Sequence, residues 1–342
     1  MARDDAFFRA MERKNRRETI DGRTQFVKEA EKARDNDAAD PNDFRGTGLV
    51  PDAQINADIK KAQELEEKYG KPGFIASALE LVVNRGIDTG AFFSIASQDG
   101  VIESINTSKY DDYINRVDTA ATIHHSKAPD LTFAIDLYSG DDRKKALQKI
   151  ALSSNRIGSN IFAGFTEIRY YEDSNGKKRL KNVPRYCIGV DQESILAAVD
   201  TIDGTGNLFQ TTNMDEIRFK MLYEMSQQNG LYTNYLYEYA DNFETQAEKD
   251  PDFQQAISTM QTLDNLYLQE LDDAKKKLGP AYSKLGINAI AKQFMQKDKT
   301  FKTIVNATEA LMADKEGQAQ EKNAMRARQG GRRILQALKR IP

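Results

Sequence analysis

The stretch YDDYINRVD (residues 110–118), followed by TAATIHH (119–125) and, after a short polar loop, by LTFAID (131–136), decides the predicted fold. The segments before and after the loop are rich in β-branched and aromatic residues, which predicts two strands joined as a hairpin. Each segment carries one aspartate, Asp118 and Asp136. Carboxylates on neighbouring strands can share one cation, so the hairpin predicts a cation site.

Asp136 stands inside the apolar run Phe133-Ala134-Ile135-Asp136-Leu137. Burying a carboxylate there costs free energy unless a positive charge compensates it, and a hard divalent ion with oxygen ligands would do so. The alternative interpretation is a strand-end aspartate that caps the turn-like sequence after it.

Helices are predicted on both sides of this hairpin. Residues 73–84 form an apolar stripe that also contains Glu80, and residues 141–153 begin with acidic residues and carry Lys144, Lys145 and Lys149. A second strand pair follows at 164–171 and 183–191, with the hairpin-turn dipeptide Asn175-Gly176 between them. The predicted order is a helix with Glu80, two strands with Asp118 and Asp136, a basic helix and a second pair of strands.

In this order and pattern, residues 73–200 resemble the PD-(D/E)XK nuclease superfamily, which includes restriction enzymes and Holliday-junction resolvases. The resemblance implies an α/β fold with a restriction-endonuclease-like central mixed sheet flanked by helices, here followed by a helical C-terminal region. It makes Glu80 the helix-borne acid, Asp118 the first motif aspartate and Asp136 the acid of the second half. The stretch from Tyr110 to Asp118 is similar to the YDD…GVD segment of several members.

The chain departs from the family pattern at two positions just before Asp118. Val117 precedes Asp118 where proline is usual, and Arg116 stands where glycine is common. The dipeptide Pro129-Asp130 spells the motif literally, but it lies in the predicted loop and we treat it as a decoy.

The family lysine, two residues after the second acid, is replaced by Tyr138. Some members carry this lysine on the following helix, so Lys145 or Lys149 is the candidate replacement, with Lys144 the weaker one.

The resemblance implies Mg²⁺ or Mn²⁺ as cofactor and DNA as the partner. Asp118, Asp136 and the backbone carbonyl of Leu137 would hold the metal, and Glu80 would hold a metal-bound water or a second ion. Phosphodiester hydrolysis needs an activated water and a stabiliser of the developing charge, and a carboxylate-held Mg²⁺ with a nearby lysine supplies both. Many members dimerise to cut both strands, which makes a homodimer one expectation.

Composition excludes several other functions. The chain has 342 residues with a net charge of −3, which argues against a wholly basic nucleic-acid binder but not against a locally basic face. The single cysteine, Cys187, excludes internal disulfides and fits a reducing cytoplasm, and His124 and His125 are adjacent, so they cannot easily form one metal site. Nucleotide-binding glycine loops, a hydrolase nucleophile elbow, a secretory leader and a membrane span are not seen in the sequence.

Four parts are predicted along the chain: a charged helix and linker (1–50), the nuclease-like core (51–205), a helical domain (206–320) and a basic end (321–342). The basic end carries Arg326, Arg328, Arg332 and Arg333, which with Lys144 are the candidate DNA-binding residues. Two alternatives for this end are a solvated tail and a partner-binding helix. For the whole chain, the alternative function is an inactive nuclease fold, or a helical interaction protein of a phage or other mobile element, that binds nucleic acid or protein partners.

Overall fold

A computed structural model describes residues 38–70, 73–94, 96, 100–125, 129–151, 164–205, 212–242 and 250–313, together with residues 25, 27, 28 and 32. The candidate residues Arg326, Arg328, Arg332 and Arg333 lie outside these ranges, as does the whole predicted basic end.

The helices surround a single five-stranded sheet in the described part of the chain. They are α1 (Asp52–Tyr69), α2 (Phe74–Asp88), α3 (Arg143–Ala151), α4 (Gln192–Thr205), α5 (Thr212–Asn242), α6 (Pro251–Lys277), the short α7 (Pro280–Ser283), α8 (Ile287–Lys297) and α9 (299–313). The strands are β1 (Gly100–Asn106), β2 (Thr119–His125), β3 (Leu131–Tyr138), β4 (Phe165–Asp173) and β5 (Gly176–Gly189). The chain is therefore α/β with a helical C-terminal part, as predicted.

The sheet is mixed, with strand order β1-β2-β3-β5-β4. Strand β2 pairs antiparallel with β1 on one side and with β3 on the other. Strand β5 pairs parallel with β3, and β4 pairs antiparallel with β5 at the far edge. Thr119 lies opposite Ile135 in the β2–β3 pair, and Asp136 lies opposite Cys187 in the β3–β5 pair. Both predicted hairpins are confirmed.

Strand β1 was not predicted. It forms one edge of the sheet, and its residues are mostly half-buried or exposed, with Val101 66% exposed. An edge strand with water on one side lacks the continuous apolar run that reveals a buried strand.

One apolar core joins the sheet to the C-terminal helices. Phe133 of β3 and Tyr186 of β5 belong to the same buried cluster as Met221 and Leu222 of α5 and Leu263 of α6. The sheet and the helical region thus share a core across the predicted boundary near residue 205, and the boundary itself stays a prediction. No helix in the described ranges is long and apolar enough to span a membrane.

Part of the predicted N-terminal linker is packed against the sheet. Residues Pro41–Phe44 form one 3₁₀ turn, and the ring of Phe44 is fully buried against Tyr170 of β4, with ring centroids 5.3 Å apart. This segment forms a wall of a cavity that adjoins the candidate active site.

Candidate active site

Asp118 and Asp136 lie at adjacent positions on neighbouring strands. The backbone N–H of Asp118 donates to the carbonyl of Ile135 at 2.9 Å, and the Asp118 carboxylate accepts a hydrogen bond from the N–H of Leu137. Withdrawal from water, and then the nearby negative charge of Asp136, raise the pKa of Asp118. The hairpin therefore brings the two predicted acids together.

The carboxylate of Asp136 is held between two cations. Its side chain is 2% exposed, one oxygen contacts Lys149 Nζ from α3, and the other accepts from Arg185 Nη1 of β5 at 3.0 Å. Arg185 also donates to the backbone carbonyls of Arg116 and Lys149. The buried negative charge of Asp136 is thus compensated by a lysine and an arginine.

Lys149 is the lysine of α3 that reaches the acids. Besides Asp136, its Nζ donates to the carbonyl oxygen of Leu137 at 2.9 Å. Burial lowers the pKa of Lys149, but the charges of Asp136 and Asp118 outweigh burial and raise it, so the ammonium stays protonated. The ammonium contacts the same two oxygens, of Asp136 and Leu137, that the family resemblance assigns to a metal.

The other two lysines of α3 face elsewhere. Lys144 and Lys145 are exposed, and their backbone N–H groups donate to the carboxylate of Asp142, which caps the helix. Lys145 lines a separate shallow depression beside Tyr138. The hydroxyl of Tyr138 donates to the carbonyl of Asp142 at 2.9 Å, so this residue supports the start of α3.

Glu80 projects from α2 towards Asp118. Both line a cavity of about 190 Å³ together with Asp112 and Lys149. The side chain of Glu80 is largely buried, with 7% of the residue exposed. Four of the five predicted catalytic residues, Glu80, Asp118, Asp136 and Lys149, therefore lie around one region, although Asp136 stands behind Lys149 and does not line the cavity. The fifth, Lys145, lines the separate depression beside Tyr138.

Asp112 is a site residue that the sequence analysis missed. It forms a side-chain hydrogen bond with Asp118 and lines the same cavity. Its neighbour Asp111 is turned away: the Asp111 carboxylate accepts from the backbone N–H groups of Arg169 and Tyr170 at 2.9 and 3.0 Å. The Asp-Asp dipeptide was a visible signal, but only the fold separates the structural aspartate from the cavity-facing one.

Both aspartates stand on a π-helical turn, Asp111–Asn115, from which Asp111 contacts the backbone of β4 and Asp112 lines the cavity. The turn ends at Arg116, which has φ 59° and ψ 49°, in the left-handed region. Only glycine adopts this conformation without steric cost. Arg116 is thus held in a backbone conformation that glycine would adopt at lower cost.

The cavity is lined by donor types that suit a hard divalent cation, but the donors are not preassembled, because Glu80, Asp112 and Asp118 do not form a set whose ligand atoms all lie within 4.8 Å of one another. Glu80, Asp112 and Asp118 offer carboxylate oxygens, the ligands that Mg²⁺ and Mn²⁺ prefer. The oxygens of Asp136 and Leu137 are contacted by the Lys149 ammonium, so a metal bound between them would require this side chain to swing aside.

A second group of ligand-type side chains lies on the sheet near the β2–β3 loop. Within the described ranges, Glu103, His124 and Asp173 are the one set of three whose ligand atoms lie within 4.8 Å of one another, and Glu80, Asp118 and Asp136 do not form such a set. His124 contacts Glu103 through Nε2 at 2.7 Å and Asp130 through Nδ1 at 3.0 Å. Because both ring nitrogens face carboxylates, this arrangement suits a protonated imidazolium.

No protein-family model, curated protein or solved structure matches the chain. The candidate site therefore has to be interpreted from its own geometry.

Proposed function

We propose that the chain is a Mg²⁺- or Mn²⁺-dependent nuclease with a restriction-endonuclease-like core, and that it hydrolyses DNA phosphodiester bonds. The observation that carries this proposal is the position of Lys149: its ammonium contacts Asp136 and the Leu137 carbonyl and lines one cavity with Glu80 and Asp118. In the sequence, Tyr138 occupies the position where the family has its lysine. A lysine from the next helix that reaches the same acids supports an active site.

The order of elements also supports the proposal. A helix with Glu80 precedes the hairpin with Asp118 and Asp136, α3 with Lys149 follows, and β5 then pairs parallel to β3. This is the sequence of parts that the resemblance to the PD-(D/E)XK superfamily implies. In the same proposal, the chain works in the cytoplasm, and a homodimer would serve to cut both strands.

Each side chain then has a chemical role. A bound divalent ion would lower the pKa of a water molecule and neutralise the charge that develops on the phosphorane. Glu80, Asp112 and Asp118 would hold the ion, while the protonated ammonium of Lys149 would stabilise the scissile phosphate and orient the water. Arg185 pairs with the Asp136 carboxylate, and Asp136 in turn would direct Lys149.

The three lysines of α3 offer a matched test. Lys149→Met, Lys144→Met and Lys145→Met make the same chemical change on one helix, and Lys149 alone of these contacts Asp136. Purified full-length variants would be incubated with plasmid, single-stranded and branched DNA in Mg²⁺, Mn²⁺ or EDTA. We expect Lys149→Met to lose cleavage by roughly 10²–10³-fold, the usual cost of removing one group that stabilises charge in the transition state. Lys144→Met and Lys145→Met should retain cleavage.

Metal binding gives an independent measurement on the same variants. Because Lys149→Met removes a positive charge from the cavity that the proposed ligands Glu80, Asp112 and Asp118 line, we expect this variant to bind Mn²⁺ at least as tightly as the wild type in calorimetry. Asp118→Asn should weaken Mn²⁺ binding. Undiminished cleavage by Lys149→Met would reject the proposed centre, and DNA binding without cleavage by the wild type would favour the inactive nuclease fold.

A further inference from the structure

A second, larger cavity adjoins the candidate active site. Its volume is about 350 Å³, and it shares Glu80, Asp112 and Asp118 with the smaller one. The cavity therefore begins at the carboxylates and extends away from Lys149.

The far part of this cavity is formed by the N-terminal segment, α1 and the loop after β1. Its walls are apolar at Ala39, Pro41, Ile59 and Ala62, and amide groups of Gln63 and Asn106 stand among them. Small apolar walls interrupted by a few amides form a surface that suits a flat, neutral heterocycle with hydrogen-bonding edges.

The charges in the far part are already compensated. Both carboxylate oxygens of Glu66 accept from Lys109 Nζ, at 2.9 and 3.0 Å. The carboxylate of Asp40 accepts from the backbone N–H and the side-chain amide of Asn42, at 2.9 and 3.0 Å. Among the described residues that line this cavity, Lys109 is the one cation, and it is paired with Glu66. This part of the cavity therefore offers a phosphate chain no unpaired positive charge, and a neutral nucleobase does not require one.

The size of the cavity limits its occupant. Pockets for small ligands have volumes of about 300–1,000 Å³, so this cavity lies at the lower end and accepts about one nucleotide. A base still stacked in a duplex could not enter it. Proteins that bind a single base in a pocket act on single strands or extrude the nucleotide from the helix.

We propose that this cavity binds the base of one unpaired nucleotide next to the scissile phosphate, so that the substrate is single-stranded DNA or an unpaired stretch within DNA. This inference rests on the proposed nuclease function for the position of the phosphate. The binding of the base itself can be measured without cleavage.

Gln63 offers a way to fill the cavity with little change to the fold, because this residue is exposed on α1 and lines the cavity. Gln63→Trp would put an indole into the space assigned to the base. Ala57→Trp is the matched control, because Ala57 is also exposed on α1 but does not line the cavity. Circular dichroism and thermal unfolding of both variants check that α1 keeps its structure.

The first measurement is binding of a short fluorescent single-stranded DNA oligonucleotide by the full chain in Ca²⁺, which holds carboxylate sites without supporting hydrolysis. We expect Gln63→Trp to lower the affinity by about tenfold or more, because base contacts in single-strand binding sites are commonly worth that much. Ala57→Trp should bind like the wild type. Equal binding by Gln63→Trp and the wild type, or no binding by the wild type, would overturn the proposal.

The second measurement compares cleavage of the oligonucleotide with cleavage of a relaxed closed-circular duplex, which has no unpaired loop or end, in Mn²⁺. We expect faster cleavage of the single strand, with this preference lost in Gln63→Trp while Mn²⁺ binding is kept. Equal cleavage of both substrates by the wild type would reject the base pocket. Oligonucleotide binding that depends on Gln63, with no cleavage of either substrate, would support the pocket and reject the nuclease.

A final arm separates a nucleotide within a strand from a free nucleotide. Deoxynucleoside monophosphates would be added as competitors of the oligonucleotide in Ca²⁺. Weak competition supports the proposal, whereas a monophosphate that binds as tightly as the oligonucleotide would assign the pocket to free nucleotides and overturn it.

Discussion

Replacing Asp136 by asparagine would leave the buried Arg185 and the partly buried Lys149 without their shared anion. Asp136 contacts Lys149 through one oxygen and Arg185 Nη1 through the other at 3.0 Å, and the side chains of Asp136 and Arg185 are only 2% and 4% exposed. Removing one partner of a buried ion pair typically costs about 3–5 kcal/mol, because the remaining charge is buried without compensation. We expect Asp136→Asn to lower the free energy of unfolding by about this amount.

Urea denaturation followed by circular dichroism measures this loss. With a denaturant dependence of roughly 3 kcal/mol per molar urea, near the upper end for small proteins, the midpoint should fall by roughly 1–2 M. The control is Asp272→Asn, which removes a solvent-exposed pair with Lys276 and should leave the midpoint unchanged within error.

The triple change Asp136→Leu, Lys149→Met and Arg185→Met should recover much of the stability, because apolar side chains can replace a buried ion network. A midpoint for Asp136→Asn within error of the wild type would refute the compensation described here. It follows that lost cleavage in Asp136→Asn would not by itself identify a metal ligand, and that Asp118→Asn is the better test.

Three further outcomes are expected. Partial burial lowers the pKa of His124, but two carboxylates raise it more, to a value above 6.5 in the folded chain. Protonated His124 therefore stabilises the folded state fully below pH 6.5, and this stabilisation is lost as the pH rises through the folded-state pKa. The free energy of unfolding of His124→Phe should lack this pH dependence. Burial raises the pKa of the Cys187 thiol, so Ellman's reagent should label it only after denaturation, and fast labelling of the native chain would contradict its burial. Gly164→Ala should lower the melting temperature more than Gly176→Ala. Both glycines have positive φ, but only at Gly164 would the new Cβ lie against the Tyr232 ring, at 2.1 Å. Equal decreases of the melting temperature in the two variants would refute the clash.

The sequence predicted those parts of the fold that depend on local patterns. Both hairpins followed from runs of β-branched and aromatic residues around polar turns. The second turn lies in the predicted stretch, but its two central residues are Ser174 and Asn175, and Gly176 is already the first residue of β5. The edge strand β1 was missed because water on one side removes the apolar pattern. The parallel pairing of β3 with β5 could not be derived from local pattern, since it depends on how α3 and β4 cross between them.

The sequence predicted which residue types form the candidate site, but not which of several neighbouring lysines and aspartates reach it. Three lysines stand within one and a half turns of α3, and only the packing of that helix on the sheet determines that Lys149 reaches Asp136. Asp111 and Asp112 are neighbours on one π-helical turn, yet Asp111 contacts the backbone of β4 and Asp112 lines the cavity. Arg185 was missed because a charged residue within a buried strand has no local signal for its partner.

The parallel return of β5 also has a kinetic consequence. Asp118 and Asp136 meet within a hairpin that can close soon after its synthesis, but Arg185 follows Asp136 by 49 residues and arrives only when the crossover is complete. Until then the chain carries a carboxylate in an apolar strand with half of its final compensation. We expect the docking of β5 to be the late step of folding, and a chain stalled before it to be vulnerable to proteolysis at β3.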